Sequence, residues 1–139
     1  MKKIVIYTDG GARGNPGPAG AGAVVRDDAG RTVAEISEYL GLTTNNVAEY
    51  TAILRGLETL AHHLGERAKD AAVDVSMDSE LIVRQMKGEY RTKHPNLVPL
   101  SQRVKIIVMK FHSVSFSHIP REKNVDADAL ANAAMDRGA

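Results

Sequence analysis

Residues 4–20 read IVIYTDGGARGNPGPAG, an apolar and β-branched run that meets an aspartate at position 9 and passes into glycine and proline. The segment KIVIYT (3–8) has the continuous apolar character of a central strand covered on both faces. The strand is therefore expected to stop at Asp9, with a loop beyond it. A carboxylate there can simply open a turn. It can also be held at the end of a rigid element so as to bind something, and the rest of the chain decides between the two.

Downstream, GAGAVVRD (20–27) and RTVAEISEYL (31–40) form two further strands joined by the short turn DDAG. Residues 46–64 then change period: Val47, Tyr50, Leu54, Leu57, Ala61 and Leu64 recur at helical spacing before Gly65. AVDVSMD (72–78) alternates as a fourth strand, and SELIVRQMKG (79–88) is a short helix with a serine start and a glycine stop. Residues 96–110 form another helix, HSVSFS (112–117) a fifth strand, and NVDADALANAAMDR (124–137) a closing helix. The order β-β-β-α-β-α-α-β-α predicts three antiparallel strands followed by parallel strands reached through right-handed crossovers. With 139 residues, 43% of them hydrophobic, and no repeat or long linker, residues 1–139 are expected to form one domain around one core.

Composition narrows the chemistry. The absence of cysteine excludes disulfides and thiolate metal sites, so a bound metal must rest on oxygen or imidazole, and a reducing cytoplasmic setting fits. The short apolar stretch before Asp9 is too brief for a signal sequence or a membrane span. Net charge is only +1, but Lys87 to Lys123 holds eight Lys or Arg against two Glu. That asymmetry suits a polyanion along one surface, and equally an ordinary solvated face.

The acids carry the sharper signal. If the strands ending at Asp9 and Asp78 are parallel neighbours, the two carboxylates meet at one sheet edge; Asp78 could alternatively cap the helix that follows it. Glu49 sits at the border of its helix's apolar arc and leans toward the sheet, the competing role being a capping-box partner of Asn46. The last helix offers Asp126 and Asp128, one of which could serve only the helix N-terminus. Carboxylates gathered together raise each other's pKa unless cations neutralise them. Oxygen ligands alone select Mg²⁺ or Mn²⁺, and a pair of such ions suits displacement at phosphorus. The glycine segment is neither a P-loop nor a dinucleotide fingerprint, since no Gly-Lys-Ser/Thr and no immediate helix follow it.

YTDGGARGNPGPAGAG (7–22), TTNNVAEY (43–50), MDSELIVRQM (77–86) and NVDADALANAAM (124–135) together resemble ribonuclease H of the type 1 class, in the family's order and over essentially the whole chain. The resemblance implies an α/β fold with a mixed five-stranded sheet, order 3-2-1-4-5 with strand 2 antiparallel, and helices on both faces. It implies endonucleolytic hydrolysis of the RNA strand of RNA/DNA hybrids with two Mg²⁺ ions, Mn²⁺ substituting. One ion activates the attacking water and the other stabilises the departing 3′ oxygen, leaving 5′-phosphate and 3′-hydroxyl ends. Asp9, Glu49, Asp78 and Asp128 match the metal-binding, catalytic carboxylates, with Asp126 a bystander. Gly11, Ala12 and Asn15 look placed for RNA 2′-hydroxyls, Asn46 for the groove, and Thr44 for a DNA-strand phosphate, while helix capping explains Thr44 and Asn46 equally well. Glu80 stands where the family often has glutamine near the RNA. A soluble cytoplasmic monomer with no membrane and no obligate protein partner is implied.

Two departures from the family pattern appear. KGEYRTKHPNL (87–97) is shorter than the family's basic helix and loop and lacks tryptophan, and SHIPREKN (117–124) is contracted where many members carry a mobile histidine. His118 either occupies that histidine's register or, allowing for the shorter loop, lies on the strand, which is the preferred alignment. The alternative function is a non-catalytic hybrid-binding module of the same fold, which would gain nothing from acids clustered near a phosphate backbone.

Overall fold

The structure, a computed structural model, describes residues 2–139. Its elements are β1 (Lys2–Ala12), β2 (Gly17–Arg26), β3 (Thr32–Thr43), α1 (Asn45–Leu64), β4 (Ala71–Met77), α2 (Glu80–Met86), α3 (Val98–Val108), β5 (Ser113–His118) and α4 (Val125–Arg137). Short 3₁₀ turns at Gly65–Asp70 and Arg121–Lys123 lead into β4 and α4; the sequence pattern did not indicate either. The five strands lie in the order β3-β2-β1-β4-β5. β2 is antiparallel to both β1 and β3, while β1, β4 and β5 run parallel. This is the mixed sheet, order 3-2-1-4-5 with strand 2 antiparallel, that the resemblance implies.

β1 corrects one expectation. It does not stop at Asp9 but continues to Ala12, with Asp9 opposite Gly22 and Ala12 opposite Ala19 of β2. What ends near Asp9 is the partner on the other side, because the β1–β4 ladder closes at Tyr7 opposite Ser76. Asp9 thus projects past the end of β4 from a strand still braced by β2, and Asp78 follows β4 directly. The parallel register brings both to the same rim.

The extended β1 also gives its glycines a packing role. A Cβ on Gly10 would lie 2.3 Å from the Ala48 backbone carbon and 2.5 Å from the Glu49 nitrogen, so α1 can reach the strand only over a bare backbone. On the opposite face, Cβ atoms on Gly20 and Gly22 would strike the backbone oxygens of Ala131 and Ala127 at 2.5 and 2.3 Å, and α4 seats on β2 through this gap. Ala127, Ala131 and Ala134 are buried there.

The larger core lies between the sheet and α1 to α3, with Ile4, Ile6, Ile53, Leu54, Leu57, Leu60, Val73, Val75, Ile82, Val104 and Phe111 buried in one cluster. Tyr50 is fully buried in it, and its hydroxyl meets Gln85 Oε1 at 2.6 Å and Thr92 Oγ1 at 2.8 Å. That pair of bonds ties α1 to α2 and to the segment before α3. Among the described residues no helix is long and apolar enough to cross a membrane.

Candidate active site

Asp9, Glu49, Asp78 and Asp128 line one open recess of about 510 Å³, together with Gly10, Gly11, Ala12, Asn45, Asn46, Arg121 and Asn132. Four separate elements deliver the acids. Asp9 comes from β1 on the α4 side of the sheet, Asp78 from the end of β4, Glu49 from the first turns of α1, and Asp128 from the first turn of α4.

Local capping decides which acids are free for the recess. Thr44 caps α1, its hydroxyl accepting the Val47 N–H at 3.2 Å. The competing reading of Glu49 as a capping-box partner of Asn46 does not hold: the cap is Thr44, two residues earlier, and Glu49 lies beyond the capping position. Ser79 caps α2, accepting the Ile82 N–H at 3.4 Å, so Asp78 has no capping duty. Asp126 pairs with Arg26 at 2.6 Å and does not line the recess.

The electrostatics show what the cluster costs. Burial pushes the Asp9 carboxyl up to about 8, with hydrogen bonding to Asp128 and the charges of Asp78 and Asp128 adding to the rise and the Gly10 N–H opposing it. Burial and then the Asp78 charge raise Glu49 to about 7 against the lowering effect of the Ser79 hydroxyl. Glu49 Oε2 is buried with no hydrogen-bond partner, an acceptor that a cation would satisfy. Among the described residues no three His, Asp or Glu side chains form a ready-made ligand group around a single point. Mg²⁺ does not require one, since it keeps water and is often held by one or two carboxylates plus substrate phosphate oxygens. Oxygen-only donors, a buried acceptor without a partner and crowded carboxyls whose raised pKa values a cation would bring down fit hard divalent ions.

The other residues expected at the site divide. Gly11, Ala12 and Asn46 line the recess; Asn15, Thr44 and Glu80 do not. Asn15 Oδ1 accepts the Asn45 N–H at 3.0 Å, and Glu80 pairs with Arg84 at 2.9 Å. His118 is the exposed last residue of β5, opposite Met77, and lies outside the recess. Sequence reasoning missed Asn45, whose Oδ1 accepts the Ala12 N–H at 2.7 Å and so pins α1 to β1. A second asparagine where a helix start needs one cap was the available signal. It also missed Arg121, a cation on the rim of an acidic recess, which no spacing marks in the sequence.

Fold and rim together define an α/β domain with an acidic recess at one edge of a mixed five-stranded sheet, and comparison with known proteins specifies its family. Residues 7–134 match the family model described as Reverse transcriptase-like. The chain is 46% identical over 138 residues to the bifunctional protein Rv2228c of Mycobacterium tuberculosis, covering 99% of this chain and 36% of that protein. It is 33% identical over 153 residues to ribonuclease H of Ruthia magnifica, covering 99% of this chain and 98% of that one. Among solved structures, LC11-RNase H1 isolated from compost by a metagenomic approach is 54% identical with a TM-score of 0.92, over 99% of this chain and 98% of that chain. LC11-RNase H1 has also been crystallised in complex with an RNA/DNA hybrid. The chain belongs to the ribonuclease H family, in its type 1 class. It spans about a third of the length of the Mycobacterium relatives it matches.

Proposed function

We propose that residues 1–139 act as one catalytic domain that cleaves the RNA strand of RNA/DNA hybrids, using Asp9, Glu49, Asp78 and Asp128 to hold two Mg²⁺ ions, with Mn²⁺ as substitute. The observation that carries this is the convergence of four acids on one open recess with no structural partner for Glu49 Oε2. Held there, the ions would supply the charge that activates water and stabilises the departing 3′ oxygen, giving 5′-phosphate and 3′-hydroxyl ends. The relation to a protein crystallised with such a hybrid supports the substrate class.

The chain's own groups do the placing. β1 and α1 are locked together by Asn45 and by contact at Gly10, so Asp9 and Glu49 are held on rigid elements rather than loops. A Cβ on Gly11 would meet nothing nearer than 3.8 Å, so packing does not demand glycine there. A bare backbone facing the recess suits close approach of a ribose, where a 2′-hydroxyl distinguishes RNA from DNA. Ala12 has its N–H occupied by Asn45 and lines the wall, and Asn46 extends the same rim. Contacts from Asn15, Thr44 and Glu80 would be with duplex flanking the cleaved bond. The domain needs no protein partner for this work and acts as a cytoplasmic monomer.

The test is purified protein with Mg²⁺ on a labelled hybrid, with single-stranded RNA and double-stranded DNA as controls. Selective loss of the RNA strand is expected, and Asp9→Asn or Asp78→Asn should reduce it more than about a thousandfold, about 4 kcal/mol of barrier. Tight, ion-independent binding without turnover would replace the enzyme with a hybrid-binding module.

A further inference from the structure

We infer that Asn124 is a positioning residue that sets Asp128 against Asp9 and thereby fixes the spacing of the ion site. The inference rests on the function proposed above. Asn124 is 1% exposed, yet its amide is only half used. Nδ2 donates to the Thr8 carbonyl at 2.9 Å, while Oδ1 is buried with no partner.

The residue occupies the N-cap of α4, where an asparagine side chain ordinarily accepts an N–H of the first turn. Here it makes no capping bond. The side chain is turned away from its own helix toward β1, forgoing a cap and leaving a buried acceptor unsatisfied, both of which reduce stability. Its three remaining bonds all end at or beside the recess. The Thr8 carbonyl immediately precedes Asp9. The Asn124 N–H donates to the Arg121 carbonyl at 2.9 Å, and the Asn124 carbonyl accepts the Asp128 N–H at 3.1 Å. Thr8 is one residue past the end of the β1–β4 ladder, so this amide braces β1 where the strand partner has stopped. The buried side chain thus holds the strand carrying Asp9, while the backbone of the same residue joins the helix carrying Asp128 to the turn carrying Arg121. The amide therefore ties the start of α4 to β1.

A residue that only holds α4 in place would act alike whatever stands at 128. A residue that acts through Asp128 would not. The experiment is a double-mutant cycle of Asn124→Ala and Asp128→Asn, read as hybrid cleavage, together with calorimetric Mg²⁺ binding and thermal stability without ions. Asn124→Ala alone is expected to weaken Mg²⁺ binding about 10- to 100-fold, the range for groups that orient metal ligands, and to lower cleavage at limiting Mg²⁺ by a similar factor. On the Asp128→Asn background the further loss should be under about threefold. If the alanine variant does not fold, Asn124→Leu, which is close in shape and removes the donor without adding a charge, takes its place. Equal losses on both backgrounds with unchanged Mg²⁺ binding would overturn the inference and leave the nuclease intact. Should the parent not cleave hybrid at all, the proposed function falls, and Mg²⁺ binding by the parent and Asn124 variant decides the positioning role by itself.

Discussion

Asp9 on β1 and Asp128 on α4 line the same recess, and the neighbouring Asp128 carboxyl adds to the rise that burial produces in the Asp9 pKa. The folded protein therefore keeps a proton that the unfolded chain releases near pH 3.8. Stability from this source is complete below about pH 4 and is lost as pH rises through about 8, and Glu49 adds the same trend up to about 7. Asp9→Asn removes the larger titration. Without divalent ions its melting curve should match the parent's at pH 4 and exceed it at pH 8.5 by roughly 4–10 °C, about 1–3 kcal/mol. Parallel curves across this range would contradict the assignment.

Ion binding should follow the same protons. Mg²⁺ must displace them from Asp9 and Glu49, so affinity is expected to climb between pH 6 and 8, by at most about tenfold per unit for each proton released. Calorimetry in buffers of different ionisation enthalpy reads the proton release directly. An affinity independent of pH would mean that neither carboxyl holds an ion.

Gly10 and Gly11 are adjacent but should respond differently. Gly10→Ala drives a Cβ into the Ala48–Glu49 backbone, costing about 1–3 kcal/mol or moving α1. A shift of about 1 Å in Glu49 would lower cleavage on the order of a hundredfold. Gly11→Ala fits the space and should leave stability within about 1 kcal/mol, with its effect in KM. Chemical denaturation and steady-state kinetics on both variants separate the two cases.

Tyr50→Phe deletes a hydroxyl bonded to Gln85 and Thr92. With the ring in place, the expected loss is about 1–2 kcal/mol, seen as a lower urea midpoint with an unchanged slope. No shift in midpoint would mean the bonds to α2 and the following segment contribute nothing net.

His118→Ala should change the cleavage rate by less than about tenfold, or about 1.4 kcal/mol, because the side chain stands on β5 outside the recess. A larger fall would place the imidazole in the reaction and revive the gap-free alignment.

Elements with a strong period were legible in the sequence. The 46–64 pattern gave α1 to within one residue, and the alternation of 72–78 gave β4. Strand ends and helix phase pointed Asp9, Asp78 and Glu49 toward one rim, whereas the choice of Asp128 over Asp126 came only with the family resemblance. The extension of β1 was hidden, since GG and GNPG read as loop and nothing local reveals that two helices approach β1 and β2 at backbone distance. The start of α1 was misplaced because Thr44, Asn45 and Asn46 are all competent caps, and only tertiary bonds from Asn45 to Ala12 and Asn15 settle which one is used. Arg121 and Asn124 depended on contacts between distant segments, to which periodicity is blind.

Because Gly10, Gly20 and Gly22 each sit beneath a helix backbone, the sheet is thinned on both sides beside the acidic rim. Exhaustive mutagenesis scored by nuclease output alone would show these three positions as intolerant as the acids and suggest that they take part in the chemistry. Scoring the same library for abundance would divide the two groups: carboxylate-to-amide variants should accumulate normally, and the glycine replacements should be depleted.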